Sequence, residues 1–158
     1  MQGLSAALTA GADRCYTYHA PTATDFLVHI DERTEREIVL VVDDEPTIRR
    51  FARRVLTEHE FEVLEADNGA EALEVIHNSG DRLDVVVSDI VMPKLNGVQL
   101  LQRLSITHPE LPIILMSGYA GPELAQRGIQ APCSVLAKPF RPEQLVAEVR
   151  RCIRSLPT

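Results

Sequence analysis

Residues 86–97 read VVSDIVMPKLNG, an apolar run that ends in a single carboxylate, Asp89, and then turns through Met92-Pro93 to Asn96-Gly97. A short, continuous β-branched run bounded by turn residues reads as a strand covered on both faces. A lone carboxylate is costly beside apolar surface, so Asp89 is either solvated and paired or placed there for chemistry. The rest of the chain decides between these.

Short apolar runs alternate with amphipathic stretches from Ile38 onward. IVLVVD (38–43) is a first strand ending in acid. PTIRRFARRVLTEHE follows it, with Ile48, Phe51, Ala52, Val55 and Leu56 at helical spacing and Pro46 suited to the first turn. EVLEA (62–66) is a second strand, and Asn68 with Glu71 three residues later starts the helix GAEALEVIH. LDVVVSD is the third strand and GVQLLQRLSITH the third helix. PIILMS, the weaker helix GPELAQRGI, SVLA (134–137) and RPEQLVAEVRRCI complete a fivefold strand–helix alternation. Such alternation predicts βαβ units, and hence an α/β fold: a doubly wound, five-stranded parallel sheet with helices on both faces.

The 158-residue length suits one domain with a real core, here 38–155. Residues 1–37 have mixed polarity and a charge-rich end, DERTERE, and read as a flexible arm with a short strand at DFLVHI; 156–158 form a tail. No apolar run approaches a membrane span, and the amino-terminal stretch lacks the basic start of a secretory signal, which predicts a cytoplasmic protein without a membrane partner. The formal net charge of -7 argues against direct nucleic-acid binding. Cys15, Cys133 and Cys152 are odd in number and far apart, with no metal-binding spacing, and are expected to be reduced and structural.

In an open parallel sheet, ligands bind beyond the carboxyl ends of the strands, near the point where strand order reverses. The first strand ends in Asp43-Asp44-Glu45, the third in Asp89, the fourth in Ser117-Gly118 and the fifth in Lys138-Pro139. Carboxylates about 4 Å apart repel by roughly 4 kcal/mol per pair at an effective dielectric near 20, so they call for a cation or a shared proton. A hard divalent ion with oxygen ligands satisfies them, and Mg²⁺ is the cellular choice. A metal beside one protruding carboxylate, one hydroxyl and one ammonium is equipment for phosphoryl transfer, with Asp89 as nucleophile, Lys138 on the phosphoryl oxygens and Ser117 as hydrogen-bond donor.

Four motifs in order, VVDDEP (Asp43 and Asp44), SDIVMPKLNG (Asp89, then Met92-Pro93 and Gly97), LMSGYA (Ser117) and LAKPF (Lys138), make residues 38 to about 155 resemble a response-regulator receiver domain of two-component signalling, close to receivers fused to hybrid histidine kinases. The resemblance implies the flavodoxin-like strand order 2-1-3-4-5, which a member of this family illustrates. It also implies phosphoryl transfer to Asp89 from a phosphohistidine on a histidine kinase or histidine phosphotransfer protein. Mg²⁺ would be organised by Asp43, Asp44, Asp89 and the backbone carbonyl of Val91, and the Lys138-Pro139 bond would be cis. Such a protein is no conventional enzyme: it catalyses only its own phosphorylation and slow dephosphorylation. Output would pass through a protein target or a phosphorylation-linked homodimer.

The chain departs from the family at Val135, where many receivers carry an aromatic ring three residues before the lysine, so the usual aromatic relay is not expected. By the same resemblance, Tyr119 and Val91 are expected to influence how water reaches a phosphoaspartate. Arg49, Arg50, Arg53 and Arg54, with Arg150, Arg151 and Arg154, are expected to make one face locally basic and to steer an acidic partner. Two alternatives stand beside the receiver. A pseudo-receiver would act as an unphosphorylated interaction module. A haloacid-dehalogenase-type phosphatase wants a DxD pair after its first strand, where this chain has DDE.

Overall fold

The computed structural model describes residues 36–118 and 133–155. The elements expected at 25–30 and 121–129, the arm before residue 36, Tyr119 and the tail 156–158 lie outside the described residues. Five strands run Ile38–Val42 (β1), Glu62–Ala66 (β2), Val85–Asp89 (β3), Ile113–Ser117 (β4) and Ser134–Ala137 (β5). The described helices are Pro46–Glu58 (α1), Gly69–Ser79 (α2), Gly97–Thr107 (α3) and Pro142–Arg154 (α4). All strand pairs are parallel and the order is β2-β1-β3-β4-β5, as the alternation and the resemblance together imply.

β1, β3 and β4 are buried at every position, which is why they read as unbroken apolar runs. Alternation along each strand sends side chains to two cores. Leu40, Val42, Val86 and Leu115 pack with Ala72 and Ile76 of α2 and Leu100 and Leu104 of α3. Val39, Val41, Val87, Ile114 and Met116 pack on the other side with Ala52, Val55 and Leu56 of α1 and Leu145, Val146 and Val149 of α4. Each fully buried Leu or Val contributes roughly 1.5–3 kcal/mol of transfer free energy, so a shift of strand register that moved these side chains out of their cores would forfeit many such terms.

The starts of α2 and α3 are held by side chains. Asn68 accepts hydrogen bonds from the amides of Ala70 (2.9 Å) and Glu71 (3.0 Å), while Glu71 turns back to the amide of Asp67 (2.7 Å), one residue short of a reciprocal capping box. The full box occurs at α3: Asn96 accepts from the Gln99 amide at 2.9 Å, and Gln99 accepts from the Asn96 amide at 3.0 Å. It anchors the turn that follows Asp89.

The expectation for the cysteines is corrected. Cys133, just before β5, and Cys152, in the last turns of α4, form a disulfide, with Cα atoms 5.9 Å apart. They are 19 residues apart in the chain, and only the return of α4 along the β5 side of the sheet brings them together. That proximity has no local sequence signal.

Candidate functional site

Strand register sets the site. Val42 lies opposite Ser88, Asp89 opposite Met116, and Ser117 opposite Ala137. Asp43, Asp89, Ser117 and Lys138 therefore emerge at nearly the same level on the carboxyl edge of β1, β3, β4 and β5. Strand order reverses between β1 and β3, where an open parallel sheet leaves a crevice.

The Lys138 ammonium bridges the two central acids, with Nζ 2.8 Å from Asp43 Oδ2 and 2.8 Å from Asp89 Oδ1. Asp43 is almost wholly buried, and its Oδ1 accepts from the Glu45 amide at 2.9 Å. Its carbonyl accepts from Arg49 Nη1 at 2.6 Å, so the first turn of α1 is laced to the end of β1. Asp44 is exposed, whereas Asp89 and Ser117 are buried. The Lys138 amide donates to the Ser117 carbonyl at 2.7 Å, which fixes the ends of β4 and β5 relative to one another. The Lys138-Pro139 peptide is cis, as expected.

Burial pushes the Asp89 carboxyl above its usual value and the charge of Asp43 adds to this, while the Lys138 hydrogen bond and charge oppose the rise. For Lys138 the desolvation that would lower its pKa is outweighed by the hydrogen bonds and charges of Asp43 and Asp89, which hold the ammonium above its ordinary value. Each of Asp43, Asp44 and Asp89 offers one oxygen, and the three atoms lie within 4.8 Å of one another. At that separation like charges repel by roughly 3.5 kcal/mol per pair at an effective dielectric near 20. One ammonium against three carboxylates leaves two negative charges uncompensated, and the all-oxygen donor set fits a hard divalent cation.

Val91, two residues past Asp89, is 75% exposed. Val135 is 40% exposed on the edge strand. Two residues already singled out in the sequence take parts in the site that only packing reveals. Arg49 is one, since its bond to the Asp43 carbonyl depends on the angle at which α1 leaves β1. Gly97 is the other: a Cβ there would sit 2.2 Å from the Asp89 carbonyl oxygen, so only glycine lets α3 start against the acid's own backbone. Its presence in the MPKLNG turn was the signal, and the close approach its physical reason.

Three of the seven arginines of the expected basic face are paired with acids among the described residues. Arg53 pairs with Glu65 at 3.0 Å, Arg54 with Glu58 at 3.0 Å and Arg151 with Glu148 at 2.8 Å, while the Arg150 guanidinium lies 5.9 Å from the Phe61 ring centre. Glu58 and Glu148 lie one turn away on the same helices, and only Glu65 comes from a neighbouring strand.

The family model of the response regulator receiver domain matches residues 39–150. The sensor kinase CckA of Brucella abortus is 40% identical over 116 residues, which span 73% of this chain and 12% of that protein. The response regulator MprA of Mycolicibacterium vanbaalenii is 36% identical over 117 residues, 73% of this chain and 50% of that protein. The chain thus spans half or less of the length of these curated relatives. Among solved structures, the chemotaxis protein CheY4 of Vibrio cholerae superposes with a TM-score of 0.68 at 31% identity, over 75% of this chain and 99% of that one. The response regulator TrrA of Thermotoga maritima, in complex with Mg²⁺ and BeF, gives a TM-score of 0.65 at 31% identity over 73% of this chain and 98% of that one.

Proposed function

The chain belongs to the response-regulator receiver family of two-component signalling, and from that membership we propose that it accepts a phosphoryl group on Asp89 from a phosphohistidine of a histidine kinase or histidine phosphotransfer protein, in a Mg²⁺-dependent reaction that switches the binding of a protein partner. The observation that carries this reading is the meeting of Asp89 with Lys138 at 2.8 Å inside the oxygen cluster of Asp43, Asp44 and Asp89. In this reading Asp43, Asp44, Asp89 and the Val91 carbonyl hold Mg²⁺. Bound there, the ion supplies charge neutralisation for the carboxylates and the incoming phosphoryl oxygens.

The chain's own residues do the rest. An Asp89 carboxylate oxygen attacks phosphorus as the nitrogen–phosphorus bond breaks, and the electron pair returns to the imidazole of the donor. Burial opposes the ionised Asp89 that this attack requires, and the Lys138 ammonium counters that opposition while standing within reach of a transferred phosphoryl group. Ser117, one residue past the β4 position opposite Asp89, supplies a hydroxyl on the same edge. The acyl phosphate carries about -1.5 to -2 where the carboxylate carried -1, and this net added charge of roughly -0.5 to -1 at Asp89 would shift the balance between two arrangements of the neighbouring loops.

Catalysis is confined to the protein's own phosphorylation and slow dephosphorylation. The same reading divides the chain into an arm (1–37), a receiver (38–155) and a tail (156–158). Output goes to a protein target, or to a homodimer formed on phosphorylation. A cytoplasmic setting suits such a donor, and among the described residues no helix is long and apolar enough to cross a membrane.

The test follows amide shifts by NMR on addition of Mg²⁺ and beryllofluoride, which mimics an aspartyl phosphate. Mg²⁺-dependent shifts spreading from Asp89 to Ser117 and Lys138, absent in Asp89→Asn, are expected. A parent protein that shows none would overturn the reading in favour of an unphosphorylated interaction module.

A further inference from the structure

We propose that Cys133 and Cys152 form a redox-reversible clip, opened by small-molecule thiols and closed by small-molecule disulfides, that controls how firmly β5 and its Lys138 are held. The two sulfurs meet without help from sequence proximity, because a polar network already holds the start of β5 against α4. Ser134 Oγ donates to Glu148 Oε2 at 2.5 Å, Arg151 Nη2 donates to the same oxygen at 2.8 Å, and Arg151 Nη2 also donates to the Cys133 carbonyl at 3.0 Å. None of these bonds is made by a sulfur atom. They keep the thiols poised for closure after reduction, which is what makes exchange reversible within the folded protein.

The site is directional. Cys152 is 1% exposed, whereas Cys133 is partly accessible. A cleft of about 240 Å³, lined by Pro109, Pro112, Ile113, Ser155 and both cysteines, gives a small thiol a path to the pair. An external thiolate bonds to Cys133 Sγ as the Cys133–Cys152 bond breaks, and Cys152 Sγ leaves with the electron pair. Arg151 Nη2 lies 3.9 Å from that sulfur and places a permanent cation beside the leaving thiolate. A second external thiolate attacks the external sulfur of the mixed disulfide and releases the Cys133 thiolate. Both protein thiolates take protons from water, and the reductant departs as its own disulfide.

The bond closes a ring that contains all of β5, Lys138 and most of α4. β5 is a four-residue strand at the edge of the sheet, hydrogen-bonded in the sheet to β4. A covalent tie at its start therefore restrains the strand whose other end delivers Lys138 to Asp43 and Asp89.

The experiment uses the full chain carrying Cys15→Ser, so that Cys133 and Cys152 are the only thiols. The protein is equilibrated in buffers of varied reduced-to-oxidised glutathione ratio, trapped by alkylation and weighed intact, with circular dichroism reporting the fold. Both cysteines should gain and lose alkyl groups together, reversibly, with the fold retained. Reduction should quicken amide exchange at Leu136 and Lys138 by roughly tenfold. Arg151→Gln should slow opening by glutathione roughly fivefold at neutral pH, with the slowing recovered in Arg151→Lys. Opening only in denaturant, failure to re-close, unchanged amide exchange, or an unaltered rate in Arg151→Gln would each overturn the proposal. Should Arg151→Gln fold poorly, Glu148→Gln, which frees Arg151 while leaving it cationic, should retain fast opening.

Discussion

Replacing Gly97 by alanine tests how β3, the strand that ends in Asp89, is seated. The new Cβ would lie 2.2 Å from the Asp89 carbonyl oxygen, 3.0 Å from its carbonyl carbon and 3.1 Å from Ile90 Cα. All three are main-chain atoms, so no rotamer change relieves the overlap. To reach ordinary contact, the start of α3 and the end of β3 must separate by about 1.2 Å, at the expense of the Gly97 amide bond to the Ile90 carbonyl, now 3.0 Å. Overpacking of this kind with loss of one buried hydrogen bond costs about 2–4 kcal/mol. In urea unfolding, with a slope typical of a domain this size, the midpoint should fall by roughly 1–2 M. Two other glycines separate the causes. A Cβ at Gly80 would meet nothing within 4 Å among the described residues, but its φ of 59° with ψ of -144° suits glycine alone, so Gly80→Ala should cost about 1–3 kcal/mol through backbone conformation. A Cβ at Gly118 would meet nothing within 4 Å among the described residues, and its φ is not left-handed, so Gly118→Ala should stay within about 0.5 kcal/mol of the parent. A Gly97→Ala protein as stable as the parent, or a Gly118→Ala protein as damaged as Gly97→Ala, would refute the close-approach argument.

Asp89→Asn should stabilise the protein by about 1 kcal/mol at pH 7 with no metal added, and under the proposed function it should also abolish phosphorylation, since sites held for chemistry give up stability. Burial raises the folded carboxyl above its unfolded value, so the folded state holds the proton longer; the parent loses stability as pH rises from the unfolded value through the folded one, and the gain from Asn should appear over that interval and vanish in acid, as urea unfolding across pH can show. The Ser134 hydroxyl, with lesser help from Arg151, lowers the Glu148 pKa, so that pair stabilises the fold above the unfolded carboxylate value and the contribution fades as pH falls through the lowered folded one; an NMR titration of Ser134→Ala should find Glu148 moved back up, and an unmoved titration would assign the shift elsewhere. Reduction of Cys133–Cys152, separated by 19 residues, should remove about 3 kcal/mol by releasing the unfolded chain, measurable as a lower urea midpoint in dithiothreitol, and no change would mean that the reduced unfolded chain is already constrained.

The element pattern was legible in the sequence because local chemistry encodes it. The unbroken apolar runs of β1 and β3 follow from cover on both faces, and β2 and β5 begin and end where their sequence pattern places them. The strand-end groups Asp43, Asp89, Ser117 and Lys138 were legible too, since an open parallel sheet brings its carboxyl ends to one edge whatever lies between. Tertiary structure alone decided what those groups touch. Lys138 reaches Asp43 across 95 residues, and Arg49 is tied to the Asp43 carbonyl; neither contact leaves a periodic trace. The Arg53 partner, Glu65, comes from the adjacent strand and offsets one charge of the expected basic face. The Cys133–Cys152 bond depends on where α4 returns against the sheet. Periodicity reports which face of an element is buried, because burial acts residue by residue. Pairing between distant side chains rests on register and helix angle, and those are settled only when the whole chain has packed.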